Sequence, residues 1–134
     1  MIYWFYGQPG AGKTTLANEL NSRIDGIQVD GDDIRNIFNN KDYSKEGRIK
    51  NLKLINDIVR FLDHKKIDVV VSVVSPYSEI RKQMLDLNIK YFYVCTNEIR
   101  GKEQFFVEDF EIGKNDIVLD TTNKTIDEVL SIYW

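Results

Sequence analysis

"GQPGAGKTT" occupies residues 7–15, directly after the apolar run "IYWFY" (2–6) and overlapping the start of a helical segment, "GKTTLANELNSR" (12–23). Gly7, Gln8, Pro9, Gly10, Ala11, Gly12, Lys13 and Thr14 fit the phosphate-loop pattern G-x-x-x-x-G-K-[ST] in the strand-then-helix setting it requires. Small residues let the backbone curl with its N–H groups inward, and the helix adds unsatisfied N–H groups and the positive end of its dipole. In such a loop Lys13 bridges the β- and γ-phosphates of ATP, the Thr14 hydroxyl ligates Mg²⁺, and Thr15 completes the nucleotide-binding stretch. A glycine turn that bound nothing would gain nothing from that lysine and hydroxyl. Nucleotide triphosphate binding is therefore the first expectation, although the loop alone does not separate a kinase from a motor ATPase or a GTPase.

Working outward, further strand-like runs stand at "IQV" (27–29), "IDVVVSVV" (67–74), "IKYFYVC" (89–95) and "DIVLD" (116–120). Several are apolar at consecutive positions, which fits strands buried on both faces of a parallel sheet. Helical spacing appears in "DDIRNIFN" (32–39), in a long segment from about Ser44 to His64, and in a segment from Ser78 to Leu87, with Ser78 as its cap. A last helix follows Thr125, which with Glu128 is spaced like a capping box. Alternation of strands and helices, together with the phosphate loop, predicts an α/β, three-layer P-loop NTPase/kinase fold, with a five-stranded parallel sheet flanked by helices. Ligands of such sheets gather at the carboxyl ends of the strands, which puts Gly7, Asp30, Ser75 and Thr96 on one rim.

At 134 residues, with no Ser-, Pro- or Gly-rich linker, the chain reads as one domain over residues 1–134. A net charge of −3 and a pI near 5.2 disfavour nucleic acid as a partner held by phosphate neutralisation. No run approaches a membrane span, and "MIYWFYG" lacks the pattern of a signal peptide, so the expectation is a cytoplasmic protein without membrane contact. Cys95 and His64 each occur alone, which argues against zinc centres and Ser-His-Asp chemistry.

After the second strand comes "VDGDDIR", which sets Asp30, Asp32, Asp33 and Arg35 beside the loop. Three neighbouring carboxylates are better tolerated around a magnesium ion, a hydroxyl or a cation, although Asp32 and Asp33 also suit a helix start on dipole grounds alone. "NKTI" (123–126) carries isoleucine where a GTPase would have the aspartate of N-K-x-D, so a small kinase is the better reading.

With these pieces in place the sequence resembles the adenylylsulfate (APS) kinases, which move the γ-phosphate of ATP onto the ribose 3′-hydroxyl of adenosine 5′-phosphosulfate. The family's "GxxGSGKTTLA", "DGDNVR", "FSxxDRxxNIRR", "ISPY" and final "DT" correspond in order to "GQPGAGKTTLANEL", "VDGDDIRNIF", "YSKEGRIKNLK", "VVSPYSEIRKQM" and "DIVLDTTN". The resemblance implies ATP and Mg²⁺ as cofactors and APS as acceptor, and it admits a homodimer. It makes Lys13 and Asp30 catalytic, with Asp30 a base or magnesium-shell carboxylate near the acceptor hydroxyl, and Ser75 a further catalytic candidate. Acceptor binding then falls to Asp32, Arg35, Tyr43, Arg48, Asn51, Val74, Ser75 and Phe105.

The chain also departs from that family. Between "YVC" and the aromatic stretch it has "TNEIRGKEQFF", with no "RDxKGLY" lid, and Asp33 and Gly47 stand where the family has asparagine and aspartate. Lid loss admits a second reading, a nucleotide-binding or hydrolysing module, or a kinase for a nucleic-acid end or small alcohol.

Overall fold

The apolar runs become five strands of one parallel sheet in the computed structural model, which describes residues 1–131. They are β1 (Ile2–Tyr6), β2 (Ile27–Asp30), β3 (Val69–Val73), β4 (Ile89–Cys95) and β5 (Ile117–Asp120), in the spatial order β2-β3-β1-β4-β5. Five α-helices accompany them: α1 (Lys13–Ile24), α2 (Gly31–Ile37), α3 (Lys45–His64), α4 (Ser78–Lys82) and α5 (Ile126–Ser131).

Successive strand residues point to opposite faces, so each buried strand feeds two cores. Ile2, Trp4, Tyr6, Val69, Val71 and Val73 pack with Ile34 of α2, Leu52, Ile55 and Val59 of α3, and Ile80 of α4. On the other face Phe5, Val70, Phe92, Val94 and Leu119 pack with Leu16, Ala17 and Leu20 of α1 and Val129 and Leu130 of α5. The result is the predicted three-layer arrangement. β1, at the centre, carries the phosphate loop out of the middle of the sheet.

Local signals set most of the helix ends. Ser44 caps α3 by accepting from the Gly47 N–H at 3.3 Å, and Thr125 and Glu128 exchange side-chain-to-backbone bonds of 3.2 Å each at the start of α5. α3 stops where Lys66 turns to φ 62°, with the Lys66 N–H on the Asp63 carbonyl and the Ile67 N–H on that of Leu62. This is a Schellman stop built without glycine. It claims Ile67 for the helix end, so β3 begins at Val69 rather than at residue 67.

Two expectations need correction. Ser78 is the first residue of α4 rather than its cap; its N–H and hydroxyl both reach the Glu111 carboxylate at 3.3 Å. The helix also ends at Lys82 instead of Leu87. Tighter bonds follow, with the N–H groups of Met84, Leu85 and Leu87 donating to the carbonyls of Arg81, Lys82 and Met84. That tightening buries Met84 and brings the Gln83 carbonyl and the Asp86 carboxylate to Arg60.

Candidate functional site

The donor end is built first, because its geometry is local. Gly12 holds φ 103° as the residue before α1, a conformation that L side chains rarely adopt. The turn it makes delivers Lys13 and Thr14 as the first two residues of the helix. Lys13 is buried, and its Nζ donates to the Gln8 carbonyl at 2.9 Å. Desolvation lowers its pKa to about 8, against the opposing pull of the Asp30 and Asp32 carboxylates. The buried ammonium is hydrogen-bonded to a neutral carbonyl rather than paired directly with a carboxylate, and the polyphosphate of a nucleotide would supply a direct anion.

Asp30 stands next to Thr14. Its Oδ1 accepts from the Thr14 hydroxyl at 2.9 Å and from the Ser72 hydroxyl at 2.6 Å, while Oδ2 accepts from the Asp32 N–H at 3.2 Å as the cap of α2. Ser72 faces Asp30 across the β2–β3 ladder. One carboxylate therefore both caps a helix and orients the hydroxyl of the phosphate loop. The hard oxygens of Thr14 and Asp30 suit Mg²⁺, which usually keeps waters and phosphate oxygens as its other ligands. Among the described residues no group of three or more His, Cys, Asp or Glu side chains forms a metal cage, and a phosphate-bound magnesium needs none.

Loop and acidic rim open into one cleft of about 630 Å³. Its wall includes Lys13, Thr14, Thr15, Asp30 and Asp32, then Arg35, Tyr43, Arg48, Asn51, Val74, Ser75 and Phe105. Residues from β2, α3, the turn after β3 and the β4–β5 connection thus converge. Thr96 does not line it. Its hydroxyl instead accepts from the Glu98 N–H, within the loops that follow β4 and β5.

Within the cleft the predicted acceptor residues divide into two kinds. Arg35 is largely engaged by its own neighbourhood: its Nη1 donates to the carbonyls of Asn40 and Asp42, and its guanidinium lies 4.1 Å from the centroid of the Tyr43 ring. It shapes the wall and holds Tyr43 in place. Asn51 and Ser75, in contrast, carry open valences. The Asn51 amide donates to the Gly31 carbonyl at 3.3 Å, which fixes its orientation and leaves the buried Oδ1 without a partner. Ser75 is 1 % exposed at φ 42°, its carbonyl is taken by Arg81 at 2.5 Å, and its Oγ is unpartnered. Buried polar atoms are normally satisfied, and both of these orphans belong to residues of the cleft wall.

Several contributors were missed by sequence reasoning. Ser72 is the one polar residue of β3, a signal present in "VVVSV". Arg100 donates to the Gly10 carbonyl, the Thr121 hydroxyl and the Thr121 carbonyl, each at 3.2 Å, and is paired with Glu98. Arg100, Lys102 and Val107 also line the cleft. The β4–β5 connection is a short strap with a 3₁₀ turn at Glu103–Phe105, and it touches the phosphate loop at Gln8 and Gly10. Of the rings in that strap, Phe105 reaches the cleft, whereas Phe110 stacks on Tyr6 with centroids 6.1 Å apart and belongs to the packing.

Comparison with known proteins bears on this geometry. The model of the adenylylsulphate kinase family matches residues 1–98. A probable adenylyl-sulfate kinase of Archaeoglobus fulgidus is 32% identical over 110 residues, covering 75% of this chain and 71% of that protein. The adenylyl-sulfate kinase of Microcystis aeruginosa is 34% identical over 113 residues, covering 80% of this chain but 54% of its own length. The solved structure of the Mycobacterium tuberculosis APS kinase in complex with AMPPNP and APS superimposes with a TM-score of 0.78 at 21% identity, over 95% of this chain and 91% of that one. That last likeness shows the fold. No described helix is long and apolar enough to cross a membrane. Because the family match runs through the phosphate loop, the acidic helix start, the long helix and the Ser-Pro-Tyr turn alike, this chain belongs to the adenylylsulphate kinase family, a family of kinases.

Proposed function

We propose that the protein transfers the γ-phosphate of ATP to the 3′-hydroxyl of adenosine 5′-phosphosulfate, with Mg²⁺ as cofactor. One observation carries the acceptor half: the buried, unpartnered Asn51 Oδ1 and Ser75 Oγ share a cleft with the phosphate loop and with the cations Arg48 and Lys102. Two open acceptor atoms suit a ligand that brings hydroxyl or amino donors, and the cations suit a ligand that is also an anion. A phosphosulfate nucleotide has both.

Little covalent chemistry falls to the protein in phosphoryl transfer, so its residues act by position and charge. Lys13 moves from the Gln8 carbonyl to the donor phosphates, and the anion stabilises its charged form. Thr14 and Asp30 would hold magnesium, which would supply neutralising charge for the transferring group. Asp30 keeps the Thr14 hydroxyl aimed and stands at the strand end from which the acceptor hydroxyl is approached. Asn51 and Ser75 orient the acceptor, while Phe105 offers a ring at the rim for its base.

The test is ATP turnover with and without APS, with products identified by mass. Expected are magnesium-dependent release of ADP that APS stimulates, and a 3′-phosphorylated product. ATP turnover indifferent to APS would overturn the acceptor and leave a nucleotide-hydrolysing module. Stimulation by a nucleoside, a small alcohol or a nucleic-acid end instead would reassign the acceptor.

A further inference from the structure

Gln8 is the first variable residue of the phosphate loop, yet its side chain turns away from the loop's interior. Its Nε2 donates to the Val107 carbonyl at 2.8 Å and its Oε1 accepts from the Val107 N–H at 2.9 Å. One side-chain amide thus satisfies both backbone groups of one residue, as a neighbouring strand would. Val107 is itself buried and lines the cleft.

That pair is the middle of three pins along the strap. Upstream, Arg100 holds the Gly10 carbonyl, and the Lys102 stem would lie 3.1 Å from a Cβ placed on Gly10. Downstream, the Glu111 N–H donates to the Pro76 carbonyl at 2.8 Å, and the Glu111 carbonyl accepts from Arg81 at 2.6 Å. The strap therefore runs from the donor loop to the turn that carries Ser75. Lys102 and Phe105, which line the cleft and lie 5.9 Å apart from ammonium to ring centroid, sit between the first two pins. Without the Gln8 amide the Val107 N–H and carbonyl lose their partners in a buried setting, and the segment has to open to water to recover them.

We infer that Gln8 is a positioning residue, whose side-chain amide fixes the 102–107 strap over the cleft and so sets the affinity for the acceptor while its backbone serves the donor phosphates. The inference rests on the acceptor reading given above. It goes beyond the phosphate-loop pattern, which leaves this position variable. The same residue's carbonyl holds Lys13 when the loop is empty, so the donor lysine and the acceptor strap hang on one residue.

The experiment compares Gln8→Met, which keeps the length and removes both polar atoms, with Gln8→Glu, which keeps an acceptor for the Val107 N–H but sets a carboxylate oxygen against the Val107 carbonyl in place of the donor. Steady-state kinetics with ATP, Mg²⁺ and APS is paired with backbone hydrogen exchange. In Gln8→Met the KM for APS is expected to rise about tenfold more than the KM for ATP, and Gln8→Glu, with two acceptors facing each other, should loosen Val107 at least as much. The Val107 amide should exchange faster while Val70 and Val71 in β3 remain protected. Proportional rises in both KM values, or unchanged exchange at Val107, would overturn the inference. Faster exchange in β3 as well would make Gln8 a general stability residue and overturn it too. If the unmodified protein shows no stimulation by APS, the acceptor reading fails on its own. Exchange then decides the tether: selective loosening of Val107 retains it, and no loosening removes it.

Discussion

The donor and acceptor ends of the cleft are satisfied to different degrees. At the donor end the groups answer one another: Lys13 has the Gln8 carbonyl, Thr14 and Ser72 have Asp30, and Asp30 caps α2. At the acceptor end Asn51 Oδ1 and Ser75 Oγ are buried with no partner. At the donor end only Lys13 has to exchange its partner for phosphate, whereas orphaned buried atoms cost stability in the free protein that a ligand's partner groups would recover. Donor residues should therefore govern rate, and acceptor residues should trade stability against affinity.

Lys13→Ala gives the harshest test of that contrast. Removing the cation that meets the transferring phosphoryl group should lower turnover by about 10³-fold or more, measured as ADP release. An unchanged rate would detach the loop from the chemistry. Asp30→Asn comes next, with an expected loss of about 10²-fold in kcat and a raised magnesium requirement, since the carboxylate that aims Thr14 becomes a neutral amide. Titrating activity against Mg²⁺ checks it.

The pH dependence of donor binding gives a smaller effect. Lys13 in the empty loop titrates near 8, and phosphate favours its charged form. Nucleotide binding should therefore take up a proton above pH 8, with affinity falling by up to about tenfold per pH unit. Calorimetry in buffers of different ionisation enthalpy reads the uptake directly. For stability the sign is opposite. The unfolded lysine keeps its proton to about pH 10.4, so this group's destabilising contribution, full below pH 8, is relieved as pH rises towards the unfolded value.

The mildest change sharpens the acceptor side. Ser75→Ala removes an unpartnered buried hydroxyl, so the free protein should be unchanged or stabilised by up to about 1 kcal/mol in urea unfolding. The KM for APS should nevertheless rise by roughly three- to tenfold, the size of one neutral hydrogen bond. Loss of stability without loss of affinity would mean that Ser75 serves only its turn.

How much of this was legible depended on sequence distance. The phosphate loop and the Thr125–Glu128 box are written within a few residues each, and local geometry is enough to read them. Asn51 and Arg48 were placed only by family resemblance, because two polar residues on a helix face look the same whether they meet water or ligand. Arg100 and Lys102 stood inside a stretch read chiefly as a missing lid; contact with Gly10, ninety residues away from Arg100, gives them their place. The short α4 was misread because Arg60, on another helix, holds the turn that ends it.

One close approach restricts how this chain can vary. A Cβ on Gly47 would run into the Asp42 carbonyl, and Asp42 lies in the loop that Arg35 gathers around Tyr43. The aspartate that the family carries at position 47 has no room unless that loop moves, and moving it releases Arg35 and the ring that walls the cleft. Positions 42, 43 and 47 are therefore physically coupled through Arg35. Among relatives with equally short straps they are expected to change together, and a chimaera that exchanges only Gly47 should fold less well than one that exchanges all three.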